Sequence, residues 1–101
     1  MKVPDIIRIA GIDYKITHEP KITQDGHLLY GQINYDDCLI LLSSTDGIAH
    51  DKQCVTLLHE ILHGIIESAQ MELEDEEKTC EVLARGLYQV IKDNESSLFG
   101  K

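Results

Sequence analysis

The chain has 101 residues, of which 43% are apolar, and carries 9 lysines and arginines against 18 aspartates and glutamates, a formal net charge of −9. That length fits one domain with one modest core and no appended module, and the composition is that of a folded domain rather than a disordered chain. The negative charge repels phosphate backbones, so no nucleic-acid partner is expected, and with neither a signal-type segment nor a run of about 18 apolar residues no membrane or export role is expected either.

In chain order, residues 6–10 and 12–17 are β-branched runs on either side of Gly11, which predicts a hairpin or bulged turn. A loop containing Pro20 and the turn pair Asp25-Gly26 follows. Residues 28–35 and 38–43 predict two more strands, joined at Asp36-Asp37. Strands this close together imply a small, mainly antiparallel sheet of three to four strands. Ser43, Ser44 and Thr45 then read as capping residues before a long helix over residues 50–69. Its expected buried stripe is Val55, Leu58, Leu62, Ile65 and Ile66, with Leu58, Leu62 and Ile65 anchoring it to the sheet.

A polar connection, QMELED, leads to a second helix over residues 75–93, whose apolar face reads Cys80, Leu83, Ala84, Leu87, Tyr88 and Ile91. The last residues are expected to fray. Strands followed by helices predict an α+β domain spanning residues 1–101: a sheet within residues 1–45, then two antiparallel helices joined by a short connection. Cys38, Cys54 and Cys80 contain no CxxC pair, so neither a disulfide framework nor a cysteine zinc knuckle is signalled, and a reducing cytoplasm is the expected compartment. Cys54 and Cys80 fall at core positions of the helices.

The chemistry is concentrated at His59-Glu60-Ile61-Leu62-His63, which matches H-E-x-x-H. Residues four apart share a helix face, so His59 and His63 can take two positions on one Zn²⁺ while Glu60, offset between them, serves as general base to a metal-activated water. A catalytic zinc site needs a third protein ligand. A third histidine in H-E-x-x-H-x-x-G-x-x-H is excluded, because Ile66 stands at the glycine position and Ala69 at the histidine position. The remaining donors are Glu76, Glu77 and Glu81 on the second helix. The first helix runs about 9 Å beyond His63 at 1.5 Å per residue, and a returning helix that climbs the same distance brings Glu81 level with the histidines. Glu77, one turn earlier, is the alternative ligand or a carboxylate orienting an imidazole. Tyr88 is a candidate hydrogen-bond donor to a developing oxyanion. His50 reads as a surface residue.

With these residues in place, the chain resembles the small zinc metallopeptidases of the ImmA/IrrE type, in the compact form common in phages and mobile elements of Gram-positive bacteria. The likeness rests on TLLHEILHGI and CEVLARGLYQVIKDN, with IRIAGIDYKI and YGQINYDDCLILL as the corresponding sheet. The resemblance implies a zincin-like, specifically gluzincin-like, arrangement with His59, His63 and a helix-borne glutamate on one Zn²⁺ and Glu60 as the base. It also implies an extended substrate held by β-augmentation on a strand beside the cleft, for which residues 38–43 are the candidate, and a cytoplasmic protein or peptide substrate such as a regulatory protein. The activity expected is hydrolysis of a peptide bond. The rival expectation is a non-catalytic module of the same fold that engages a protein partner through an exposed strand or groove.

Overall fold

A computed structural model describes residues 1–44 and 47–100; Thr45, read as a capping residue, lies outside them. Strands β1 (Ile6–Ile9) and β2 (Ile12–Glu19) are followed by β3 (Ile22–Gln24), β4 (His27–Leu29), β5 (Gly31–Asn34) and β6 (Leu39–Ser43), and then by helices α1 (His50–Ala69), α2 (Glu76–Asp93) and α3 (Glu95–Phe99). The fold is α+β: a four-stranded sheet of order β1-β2-β6-β5, a separate β3-β4 ribbon, and two main helices.

The β1–β2 hairpin turns through Ala10 and Gly11 and the β3–β4 hairpin through Asp25 and Gly26, all four at positive φ. Paired positive φ values are what a two-residue turn needs to match strand twist, and glycine meets that need without a steric cost. The segment around Asp25-Gly26 is therefore a hairpin rather than an open loop. The strand expected over residues 28–35 is two strands that part at Tyr30: β4 folds back on β3, while β5 pairs with β6. Within the main sheet β1–β2 and β5–β6 are antiparallel, but β2 and β6 run parallel, with Ile16 opposite Ile40 and His18 opposite Leu42. This pairing makes β6 a central strand, in keeping with its apolar run LILLS.

Helix α1 is buried on two sides. Leu57 joins Ile9, Tyr14, Ile16, Ile40 and Leu42 of the sheet, while Cys54 and Leu58 meet Ala84 and Tyr88 of α2. Leu58 thus faces the second helix rather than the sheet. Ile65, expected in the stripe, is 46% exposed, and Gly64 instead touches the sheet: a Cβ there would lie 2.9 Å from Ile9 Cδ1 and 3.2 Å from Ile33 Cδ1. Burying a side chain the size of Leu57 contributes roughly 1.5–3 kcal/mol, so these contacts fix α1 on the sheet. Cys54 and Cys80 are wholly buried and all three thiols are free.

Gln70 ends α1 in the left-handed conformation, and the Met71 amide donates back to the Ile66 carbonyl at 3.1 Å. After residues 71–75, Asp75 caps α2 by accepting from the Lys78 amide. The C-terminal residues expected to fray form α3 up to Phe99, where Glu95 pairs with the terminal amine of Met1; Lys101 lies outside the described residues. Among the described residues, no helix is long and apolar enough to cross a membrane.

Candidate metal centre

The 3.6-residue period of α1 sets His59 and His63 one above the other on the side turned toward α2, both largely buried. Their Nε2 atoms are 3.2 Å apart. One carboxylate closes the triangle: Glu77 Oε1 is 2.6 Å from His59 Nε2, and Glu77 Oε2 is 3.1 Å from His63 Nε2. On the other edge of its ring, His63 Nδ1 lies 2.6 Å from Glu76 Oε2. The His63 backbone carbonyl accepts a hydrogen bond from the Tyr35 hydroxyl at 3.2 Å, tying this turn of α1 to the strand region. Burial is the main reason that hydroxyl's pKa rises to about 12, so it stays a donor.

Donor atoms held about 2.0–2.1 Å from a tetrahedral ion stand roughly 3.3 Å from one another. The two imidazole nitrogens match that edge, and with one carboxylate oxygen of Glu77 taken as the third donor all three atoms lie within 4.8 Å of one another, so His59, His63 and Glu77 can close on one small divalent cation. Glu76 supports the fit: a carboxylate on Nδ1 fixes the tautomer that leaves the His63 Nε2 lone pair free to bind. A second trio, His63, Glu76 and Cys80, also brings its donor atoms together. It uses the other nitrogen of the same ring, and burial pushes the metal-free Cys80 thiol up to about 11.

Glu60 sits on the adjoining face of α1, toward the sheet, and is 7% exposed. Burial raises its pKa to about 7, with positive charge on His63 acting against the rise and Glu77 adding to it. A carboxylate near neutrality is matched to general-base work at physiological pH. The strand beside it can come this close only because residue 31 is glycine: a Cβ there would lie 2.5 Å from Thr56 Cγ2 and 3.3 Å from Glu60 Oε2.

Two open clefts meet at this point. The larger, about 390 Å³, lies on the His59 side, between Tyr30 and Gly31 on one wall and Glu77, Glu81 and Arg85 of α2 on the other. The second, about 290 Å³, lies on the His63 side along Gln32, Ile33 and Tyr35. Both are lined by Leu29, Gly31, Glu60 and Glu77, so together they form a groove that follows β5 past the two histidines. The sheet edge beside the groove is β5. Residues 38–43, expected to present that edge, are paired on both sides and cannot accept an added strand.

The structure therefore assembles His59, Glu60, His63 and Glu77 and leaves two expected partners apart. Glu81 lines the wider cleft, but its carboxylate pairs with Arg85 at 3.0 Å and is 51% exposed, outside the histidine cluster. A helical return alone does not account for the height that the connection covers. Chain outside a helix advances up to about 3.3 Å per residue against 1.5 Å within one, so residues 71–75 already bring α2 level with His63 at Glu76. Tyr88 belongs to the α1–α2 core, where its hydroxyl donates to Asp51, and it lines neither cleft. Glu76, one of three candidate acids, stands at His63 Nδ1 where an orienting carboxylate would, while Glu77, expected as the alternative ligand or the orienting group, lies against both Nε2 atoms. The local signal for this was Asp75 as the helix cap, which sets Glu76 and Glu77 in the first turn. His50 is exposed, with Nε2 against the Met1 carbonyl at 2.9 Å. The chain matches no protein-family model, no curated protein and no solved structure.

Proposed function

We propose that this chain is a zinc-dependent endopeptidase of the ImmA/IrrE kind, acting in the cytoplasm on a protein or peptide, with regulatory proteins as the candidate substrates. The observation that carries the reading is the convergence of His59 Nε2, His63 Nε2 and the Glu77 carboxylate beside a buried glutamate, in a groove that follows a sheet edge. His59, His63 and Glu77 would hold the ion. A bound zinc ion supplies a Lewis acid that polarises the scissile carbonyl and acidifies a water. Glu60 takes the proton of the attacking water and passes it to the departing amine. Glu76 holds the His63 ring in its tautomer. Strand β5 accepts an extended substrate by main-chain hydrogen bonds, which align it along the groove. The three free cysteines accord with a reducing compartment.

The test is metal content together with cleavage of a randomised peptide library. Wild type is expected to hold one zinc per chain and to cut. Glu60→Gln is expected to hold zinc and not cut, and His63→Ala to lose both. Zinc binding with no cleavage by wild type would transfer support to the non-catalytic binding module. Cleavage by Glu60→Gln at the wild-type rate would refute the mechanism.

A further inference from the structure

Helix α2 buries a narrower face than its sequence predicts. Cys80, Ala84 and Tyr88 are buried, but Leu83 and Leu87, which belong to the same apolar pattern, are 52% and 42% exposed, as are Val82 (58%) and Val90 (52%). At 100° per residue these four side chains and Gly86 form one continuous stripe, on the side of the helix away from Glu81 and Arg85. Gly86 stands at its centre. A Cβ at residue 86 would meet nothing within 4 Å, and its φ is not positive, so neither packing nor backbone geometry within the chain calls for glycine. Glycine there lowers helix stability relative to alanine. What it permits is the close approach of another backbone.

The stripe is also symmetric in sequence: Val82 and Val90 flank Gly86 at equal distances of four residues. A two-fold axis at Gly86 would join two antiparallel copies of α2 with self-complementary contacts. In that arrangement Val82 would meet Val90 of the second copy, Gly86 would meet Gly86, and Leu83 would pack beside Leu87. On the flank, Lys78 of each copy would come opposite Asn94 and one residue from Asp93 of the other, a complementary charge contact made twice in a chain that is otherwise strongly acidic. We propose that the chain forms an antiparallel dimer through this face of α2. Glu77, Glu81 and Arg85 line the cleft from other positions on the helix, so both grooves stay open in the pair. The proposal stands apart from the proposed activity.

Sedimentation equilibrium on the full chain at about 10–100 µM tests it, that being the range in which a small interface is populated. Wild type is expected to be dimeric. Gly86→Leu, which improves helix propensity and has room in the isolated chain, is expected to raise the dissociation constant at least about tenfold while circular dichroism stays unchanged. Lys78→Glu is expected to weaken the dimer, and adding Asp93→Lys to restore it, which fixes the antiparallel register. A wild-type chain that is monomeric throughout this range overturns the proposal. So does a dimer that tolerates Gly86→Leu, or one in which the charge swap fails to restore association.

Discussion

The Nε2 atoms of His59 and His63 face each other at 3.2 Å with one oxygen of Glu77 against each. Two imidazole lone pairs in that position repel unless a proton or a cation lies between them, so the arrangement suits a shared proton or a bound cation. Removing Glu77 takes away a donor and removing Glu81 does not. Glu77→Ala is expected to weaken zinc binding by more than about 100-fold, whereas Glu81→Ala, which breaks only an exposed pair with Arg85, leaves it unchanged. Competition titration against a zinc chelator measures both.

Glu76 touches His63 Nδ1 and lies outside the histidine–Glu77 trio. Glu76→Ala is expected to lower zinc affinity by about 10–100-fold with one zinc per chain still bound at saturation. Glu76→Gln, which keeps an acceptor for the ring N–H, should recover part of that loss. Calorimetric titration of the two variants separates this orienting role from direct ligation.

Gly31→Ala is expected to destabilise the fold by about 1–3 kcal/mol, because the new methyl would press on Thr56 Cγ2 and on the Leu41 carbonyl. Thr56→Ser removes that Cγ2 and keeps the hydroxyl bond to the Lys52 carbonyl, so the double variant should recover part of the loss. Urea unfolding of the two single variants and the double variant measures the coupling.

Much of the fold was legible in the sequence because its signals are local. Apolar residues at three- and four-residue spacing located α1 and α2, and H-E-x-x-H placed His59, Glu60 and His63 on one helix. What escaped depends on long-range geometry. Nothing near Thr17 announces that it runs parallel to Leu41 in the next strand but three. Leu83 and Leu87 carry the period of a buried face, yet α1 is too narrow a partner to cover them. Glu77 displaced Glu81 because five connecting residues spanned a height that a helix would have covered more slowly.

In the metal-free protein, Glu60 and His63 make stability fall as pH rises. Burial raises the Glu60 carboxyl from 4.5 to about 7, so the folded state holds a proton that the unfolded state has released between those values. For His63 burial opposes the charge, but the Glu76 hydrogen bond and the neighbouring carboxylates outweigh it and raise the pKa. Both contributions are fully present below the unfolded pKa and are lost as pH rises through the folded one. The Glu60 part alone amounts to roughly 3 kcal/mol. Metal-free Glu60→Gln is therefore expected to be more stable than wild type at pH 8 and close to it at pH 4.5. Denaturant unfolding of both proteins at the two pH values, in the presence of a chelator, measures the difference.

The most direct test of the proposed centre is X-ray absorption at the zinc edge of the zinc-loaded chain. Two imidazoles and oxygen donors at about 2.0–2.1 Å, with no sulfur, are predicted for His59, His63 and Glu77. A sulfur at about 2.3 Å would place the ion at His63, Glu76 and Cys80 instead, and a chain that takes up no stoichiometric zinc would contradict the account altogether.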